Sequence, residues 1–323
     1  MKVLVTGGAG YVGSVVAKQL LGAGHDVLVL DDLSRGHAVA VPDGAAHAAV
    51  SLMDAAALRE PLAGVDAVLH FAALALVAES VEHPERYWHN NVGGTLNLLD
   101  AMRAGGVHRL VFSSTCATYG EPDTVPITEQ EPTAPVNAYG ASKLAVDLMI
   151  RDECRAHGLA AASLRYFNVA GASGEQGEDH EPETHLIPLV LQAAAGVRDH
   201  IKVFGTDYPT RDGTAVRDYI HVEDLGEAHL LALNALEAGA HRIFNLGTGD
   251  GYTVREVIEA ARSVTGREIA VREEGRRAGD PPELVAANAH ARESLGWAPT
   301  RGLEQMIADA WAWHQAHPRG YEG

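Results

Sequence analysis

The chain has 323 residues, 46% of them hydrophobic and 34 of them glycine, which excludes disorder and fibrous assembly and leaves ample material for a core. That length exceeds what one core ordinarily organises, so a cofactor lobe and a smaller lobe around a shared cleft are expected. Lys+Arg 25 against Asp+Glu 43 gives a net charge of −18, which repels nucleic acid and anionic membranes; an anionic ligand needs a local arginine cluster. The two cysteines, Cys116 and Cys154, fall in no metal-binding spacing and are too few for a disulfide framework, which fits a reducing cytoplasm. The start Met leads straight into a strand pattern, with no secretion signal and no later apolar run able to span a bilayer. A soluble, intracellular protein is expected.

Lys2 to Thr6 is an apolar run, and from Tyr11 to Leu21 the apolar residues recur at helical spacing. Between them, in TGGAGYVG, Gly7 permits a tight turn, Gly10 admits a pyrophosphate, and Gly13 allows helix and strand to pack closely. The helix N-terminus then faces the phosphates. A second run, His25 to Leu30, ends in Asp31, about 20 residues after the central glycine, where a carboxylate accepts hydrogen bonds from the adenosine ribose. A Gly-rich string alone marks only a turn. With strand, turn, helix and acid in register it marks a dinucleotide site. Asp31 repels a 2′-phosphate and so favours NAD over NADP, although the nearby Arg35 pulls the other way.

Runs at Ala67 to Phe71, Arg109 to Ser113 and Ala160 to Arg165 alternate with helical stretches at Pro84 to Gly105 and Tyr139 to His157. This alternation predicts an α/β fold with a doubly wound parallel (Rossmann) sheet. The run at Arg109 to Ser113 leads to the hydroxyls of Ser113, Ser114 and Thr115 at its C-terminal end, where open α/β sheets bind ligands; strand-end capping is the plainer use of such residues. Tyr139 and Lys143, four apart in YGASK, project from one helix face. Such pairs are common on helix surfaces. Beyond these hydroxyls, however, the ammonium and the positive ring of an oxidised nicotinamide together lower a phenol pKa near 10, so that Tyr139 can act as base.

After Asn168 the alternation weakens, and Gly171 to Thr184 is acidic and Gly-rich, the pattern of a mobile loop. Residues 1–168 are therefore assigned to the dinucleotide-binding domain and 169–323 mainly to a smaller C-terminal α/β substrate lobe. Runs at Ala215 to His221 and Arg242 to Leu246 suggest returning segments near 215–248, before a helical tail. A diphosphate approaching so acidic a chain needs guanidinium groups, and Arg217 and Arg277 are the candidates. The seventeen histidines form no HExxH or other ligand cluster, and no metal is expected.

The Gly-rich turn, strand-end hydroxyls and YxxxK together resemble the extended short-chain dehydrogenase/reductase family. HFAA (His70 to Ala73), NNVGGTLNLLDAM (Asn90 to Met102), LRYFNVAG (Leu164 to Gly171), VFGTDYPTRDGTAVRDYIHVEDL (Val203 to Leu225), FNLGTG (Phe244 to Gly249) and RRAGDPPELVA (Arg276 to Ala286) are similar to its UDP-glucose 4-epimerase group, over nearly the whole chain. The resemblance implies interconversion of UDP-galactose and UDP-glucose through a 4-keto sugar, with tightly held NAD. It makes Tyr139, Lys143 and Thr115 catalytic. It places Tyr11, Val12, Asp32, Ser34, Leu52, Phe71, Ala72, Ala73, Asn91, Ser113 and Tyr166 at the cofactor with Gly7, Gly10, Gly13 and Asp31. At the UDP-sugar it places Thr115, Asn168, His185, Leu186, Lys202, Phe204, Arg217, Tyr219, Arg277, Asp280 and Leu284. It also implies a homodimer through the helices at Pro84 to Gly105 and Tyr139 to His157.

Ala75 stands where these proteins often carry Lys, and Ser51 replaces an acid expected near the adenine, so both departures loosen the expected grip on the cofactor. Leu284 is intermediate between the large and small residues of this pocket, which implies weak or moderate turnover of UDP-N-acetylglucosamine. A UDP-pentose 4-epimerase and a non-catalytic NAD-sensing module are the alternatives. A 4,6-dehydratase needs an acid pair where this chain has Cys116 and Ala117.

Overall fold

The computed structural model describes residues 1–277 and 279–321; Ala278, within the RRAGDPPELVA stretch, lies outside them. Seven parallel strands make the central sheet: β1 (Lys2–Thr6), β2 (Asp26–Leu30), β3 (Ala46–Ala48), β4 (Ala67–His70), β5 (Arg109–Thr115), β6 (Ala160–Tyr166) and the strand His241–Leu246. Their order is His241–Leu246, β6, β5, β4, β1, β2, β3. The chain winds outward from β1 to β3, then resumes on the other side of β1, so the order reverses between β1 and β4. That reversal opens a crevice at the strands' C-terminal ends.

Each sheet face is covered by its own apolar cluster. Val3, Val5, Leu69, Val111 and Leu164 pack with the helices Tyr11–Gly22 and Val222–Asn234, while Leu4, Val68, Leu110 and Phe112 pack with Gly94–Gly105 and Ala138–His157. Burial on both faces explains why these strands read as continuous apolar runs, each buried Val or Leu contributing about 1.5–3 kcal/mol. A separate core joins the helices Leu186–Ala194, Val254–Thr265 and Leu303–Ala316 to Ile201, Val203 and Tyr219.

The stretch read as one run at Ala215 to His221 is two short strands in different sheets, Val216–Arg217 and Tyr219–His221, broken at Asp218. The helical stretch from Pro84 also divides, into Pro84–Tyr87, a π-helical segment Trp88–Gly93, and Gly94–Gly105. Such wide turns are frequent at functional sites. Here the segment carries Asn91, whose Oδ1 accepts from Leu74 N (2.8 Å) and whose Nδ2 donates to Leu74 O (3.0 Å) and Ser142 Oγ (3.1 Å). Asn91 thus braces the loop after β4 against the helix that carries Tyr139.

Candidate active site

At the crevice, Gly7 has φ +71°, and a Cβ there would lie 2.5 Å from Ala72 N; a Cβ on Gly13 would lie 2.2 Å from Gly7 O. Protein backbone closes on both. A Cβ on Gly10 would meet only Gly7 O, at 3.3 Å, so the side chain missing there leaves space that the protein does not fill. This is the cradle a dinucleotide pyrophosphate requires, and the residues fit NAD. Tyr11 and Val12 begin the helix above it, and Phe71 N and Ala72 N, donating to Thr6 O at 2.9 and 3.1 Å, form its opposite wall with Ala73 following. Asp31 Oδ2 accepts from Ala9 N (3.0 Å) and Oδ1 from Leu33 N (2.9 Å), which fixes the carboxylate beside the turn. Burial raises its pKa, and those two hydrogen bonds oppose the rise.

Burial also opposes ionisation of Asp32, but hydrogen bonds from Ser34 and Ser51 outweigh it and lower its pKa. Ser51 therefore supports the acid Asp32 instead of supplying one itself. Leu52 is buried in the core and accepts from Asn97 Nδ2 at its carbonyl (3.0 Å), and Ala75 is exposed. Arg35 gives its guanidinium to Glu181 O (3.0 Å) and Glu79 Oε1 (3.3 Å). A 2′-phosphate would have to compete for it, which strengthens the preference for NAD set by Asp31.

The helix Ala138–His157 starts at Asn137, whose Oδ1 accepts from Gly140 N (2.9 Å), and this cap aims its first turn at the end of β5. Tyr139 is partly buried beside Thr115, its ring edge-on to Tyr87 at 6.5 Å. Lys143, 2% exposed, donates to Ser113 O (2.7 Å) and lies 4.8 Å from the Phe112 ring centroid. Ser113 Oγ shares a hydrogen bond with Tyr166.

The expected effect of Lys143 on the phenol is not produced by the protein's own groups. Burial pushes Tyr139 up to about 12, with the Thr115 hydroxyl opposing. Burial likewise pulls Lys143 down to about 7, with Asp147 opposing. The ammonium is directed at the Ser113 carbonyl, so lowering the phenol needs the positive charge of an oxidised cofactor as well. Because Lys143 holds its proton more weakly folded than unfolded, its stability contribution is present above its ordinary value of 10.5 and lost as pH falls through about 7. Urea unfolding of cofactor-free protein should therefore show stability rising between those values, by up to about 1.4 kcal/mol per pH unit, and Lys143→Met should flatten that rise.

Arg217 is paired with Asp280, and Arg277 lies over Phe204 with its guanidinium carbon 3.8 Å from the ring centroid. Asp280 thus orients one guanidinium and Phe204 the other. Lys202 shares a face of the strand Ile201–Phe204 with Phe204, opposite the buried Ile201 and Val203; it is largely exposed and 3.9 Å from Glu274. Tyr219 is buried in the second core within influence of Arg217, and Leu284 is paired in register with Arg217 and packs against Tyr119, Ile127 and Phe167. Asn168 Nδ2 donates to Asp218 O (2.9 Å), while Leu186 begins the helix that follows His185. Burial pushes the Cys116 thiol up to about 12, which leaves it unable to serve as the acid a dehydratase needs.

Two features escaped the sequence reading. Asp218, fully buried, accepts from Thr248 N and Oγ1 (both 2.8 Å), Gly249 N and Ala286 N (both 3.0 Å), tying Arg217 and Leu284 to the FNLGTG turn. Its place inside RDYIHVEDL disguised it as one more strand residue. The histidine expectation is also corrected: Glu178, His180, Glu183 and His185 converge, their ligand atoms within 4.8 Å of one another, because the loop folds back on itself at spacings no helical motif has.

Residues 3–247 match the NAD dependent epimerase/dehydratase family. The chain is 57% identical to the UDP-glucose 4-epimerase of Corynebacterium glutamicum, over 98% of its length and 96% of that protein's. It is equally identical to that of Streptomyces lividans, over 99% and 98%. A crystal structure of a UDP-glucose 4-epimerase has a TM-score of 0.96 at 48% identity, each chain covered fully. The Brucella ovis UDP-glucose 4-epimerase in complex with NAD has a TM-score of 0.93 at 47% identity, over 96% of this chain and 97% of that one.

Proposed function

The chain belongs to the NAD dependent epimerase/dehydratase family, and from that footing we propose how its residues act. It is an NAD-dependent enzyme that interconverts UDP-galactose and UDP-glucose through a transient 4-keto sugar. The observation that carries the residue assignment is Tyr139 beside Thr115 at the C-terminal end of β5, next to the Gly-rich crevice. Gly7, Gly10, Gly13 and Asp31 would hold NAD, which would supply a reversible electron acceptor for oxidation at C4 and reduction of the 4-keto sugar from its opposite face. Tyr139, as phenolate, takes the proton of the 4-hydroxyl and gives it back to the epimeric oxygen. Thr115 hydrogen-bonds the sugar oxygen and the phenol, and Lys143 holds the positive charge that the phenolate needs. Arg217 and Arg277 retain the diphosphate while the keto sugar turns about it.

Leu284 sets the substrate range through its place opposite Arg217. UDP-galactose is expected to turn over faster than UDP-N-acetylgalactosamine or a UDP-pentose. Leu284→Tyr should lower the acetylated-to-unacetylated ratio of kcat/KM by about tenfold, because overfilling a pocket costs about 1–3 kcal/mol. Equal turnover of both pairs, or an unchanged ratio in the variant, would remove Leu284 from that role.

The assembly is a homodimer through the helices carrying Trp88, Leu96 and Leu148, which are 45%, 49% and 44% exposed. Apolar side chains so placed support a self-complementary contact. Light scattering is expected to give the mass of two chains, and Leu148→Glu that of one. The cytoplasm suits the two free cysteines; among the described residues no helix is long and apolar enough to cross a membrane.

A further inference from the structure

We propose that Glu178, His180, Glu183 and His185 form a binding site for one divalent transition metal ion, with Zn²⁺ the best match, which fastens the loop Gly171 to Thr184 over the first turn of the nucleotide-binding helix. The geometry carries this inference. His185 Nδ1 is 2.8 Å from Glu183 Oε1 and 2.9 Å from Glu178 Oε1, and His180 Nδ1 is 3.2 Å from Glu178 Oε1 and 3.9 Å from Glu183 Oε2. Four ligands around a tetrahedral ion with bonds of about 2.0–2.2 Å lie roughly 3.3–3.6 Å apart, so small side-chain movements suffice.

A second observation separates this cluster from ordinary ion pairs. His180 Nδ1 is sealed from solvent yet makes no hydrogen bond, although Glu178 Oε1 is 3.2 Å away. Glu178 is only 7% exposed, and a buried carboxylate calls for a compensating cation. Two imidazoles and two carboxylates fit Zn²⁺ and its neighbours better than Mg²⁺ or Ca²⁺, which require mostly oxygen. Two carboxylates also neutralise a divalent charge. Tyr11, His314, Asp179 and Tyr321 are the other titratable groups against the cluster.

The ligands stand on a braced loop. Lys18 Nζ donates to Ser173 O (2.9 Å) and Gln176 Oε1 (3.1 Å), Gly177 N donates to Tyr321 Oη (2.9 Å), and Arg35 donates to Glu181 O. Tyr11 Oη donates to Gly171 O (2.7 Å), which links the loop to the nucleotide turn. A site held by its surroundings binds without first ordering its ligands.

The test is calorimetric titration of the chelator-treated full chain with Zn²⁺, Mg²⁺ and Ca²⁺, repeated with His180→Ala and Glu183→Gln. The expected result is one Zn²⁺ per chain, at least tenfold weaker binding in each variant, and no saturable Mg²⁺ or Ca²⁺ binding. Absence of stoichiometric Zn²⁺ binding, equal binding in both variants, or Mg²⁺ binding as tight as Zn²⁺ would overturn the proposal. Zn K-edge absorption of the unmutated protein decides the matter if the variants misfold: nitrogen and oxygen ligands alone support the site, and a sulfur ligand from Cys116 or Cys154 rejects it.

Discussion

Tyr139→Phe should lower UDP-galactose turnover by about 10²–10⁴-fold while leaving the fold intact. The substitution removes only the hydroxyl. The ring keeps its edge contact with Tyr87, and the Asn137 cap that starts the helix uses Gly140 N, so urea unfolding should shift by less than about 1 kcal/mol. No neighbour can replace the lost base. Cys116 is held near 12 by burial, burial raises Tyr166 while its hydroxyl is shared with Ser113, and Lys143 is already committed to Ser113 O. Because Arg217 and Arg277, the residues proposed to bind the diphosphate, are untouched, kcat and kcat/KM should fall together and KM should hardly move. A loss below about tenfold would mean that another group takes the proton.

Asp218→Asn should cost about 2–4 kcal/mol of stability and raise KM several-fold. The carboxylate accepts four hydrogen bonds in a fully buried position, two at each oxygen. An amide oxygen can keep the Thr248 pair, but its NH₂ then faces the N–H groups of Gly249 and Ala286, donor against donor. Burial raises the Asp218 pKa and the hydrogen bonds only partly offset that rise, so losing donors would push it up further. The lost contacts release the FNLGTG turn from the strands that carry Arg217 and Leu284, which is why substrate binding should weaken as well as stability. An unchanged KM would show that Arg217 is positioned by Asp280 alone.

The nucleotide half was legible because its signals are local. The runs at β1, β2 and β4 to β6 are apolar on both faces, and Gly13 of TGGAGYVG is required by a backbone contact with Gly7 inside one strand-turn-helix unit. β3 escaped notice because Ala46–Ala48 is short, and small residues with one His carry little strand preference. The π-helical segment was also invisible, since Asn91 adopts its role through Leu74 and Ser142, which the apolar period does not encode. In the substrate half the contacts cross long stretches of sequence. Asp218 gathers donors from Thr248 and Ala286, and Trp297 Nε1 reaches back to Asp224 O at 2.8 Å. The raised pKa of Tyr139 depends on burial, a property of the assembled cleft that YGASK alone does not reveal.

Oxidation and reduction of C4 within one site proceed without exchange of its hydrogen. The most direct measurement converts UDP-galactose carrying deuterium at C4, with no cofactor added, and reads the UDP-glucose formed by mass spectrometry and NMR. Full retention of deuterium at C4 is the result expected of a chain that holds its own NAD and uses Tyr139 only for the hydroxyl proton. Loss of that deuterium to water would instead place the proton transfer on carbon and rule out oxidation at C4 by the held cofactor.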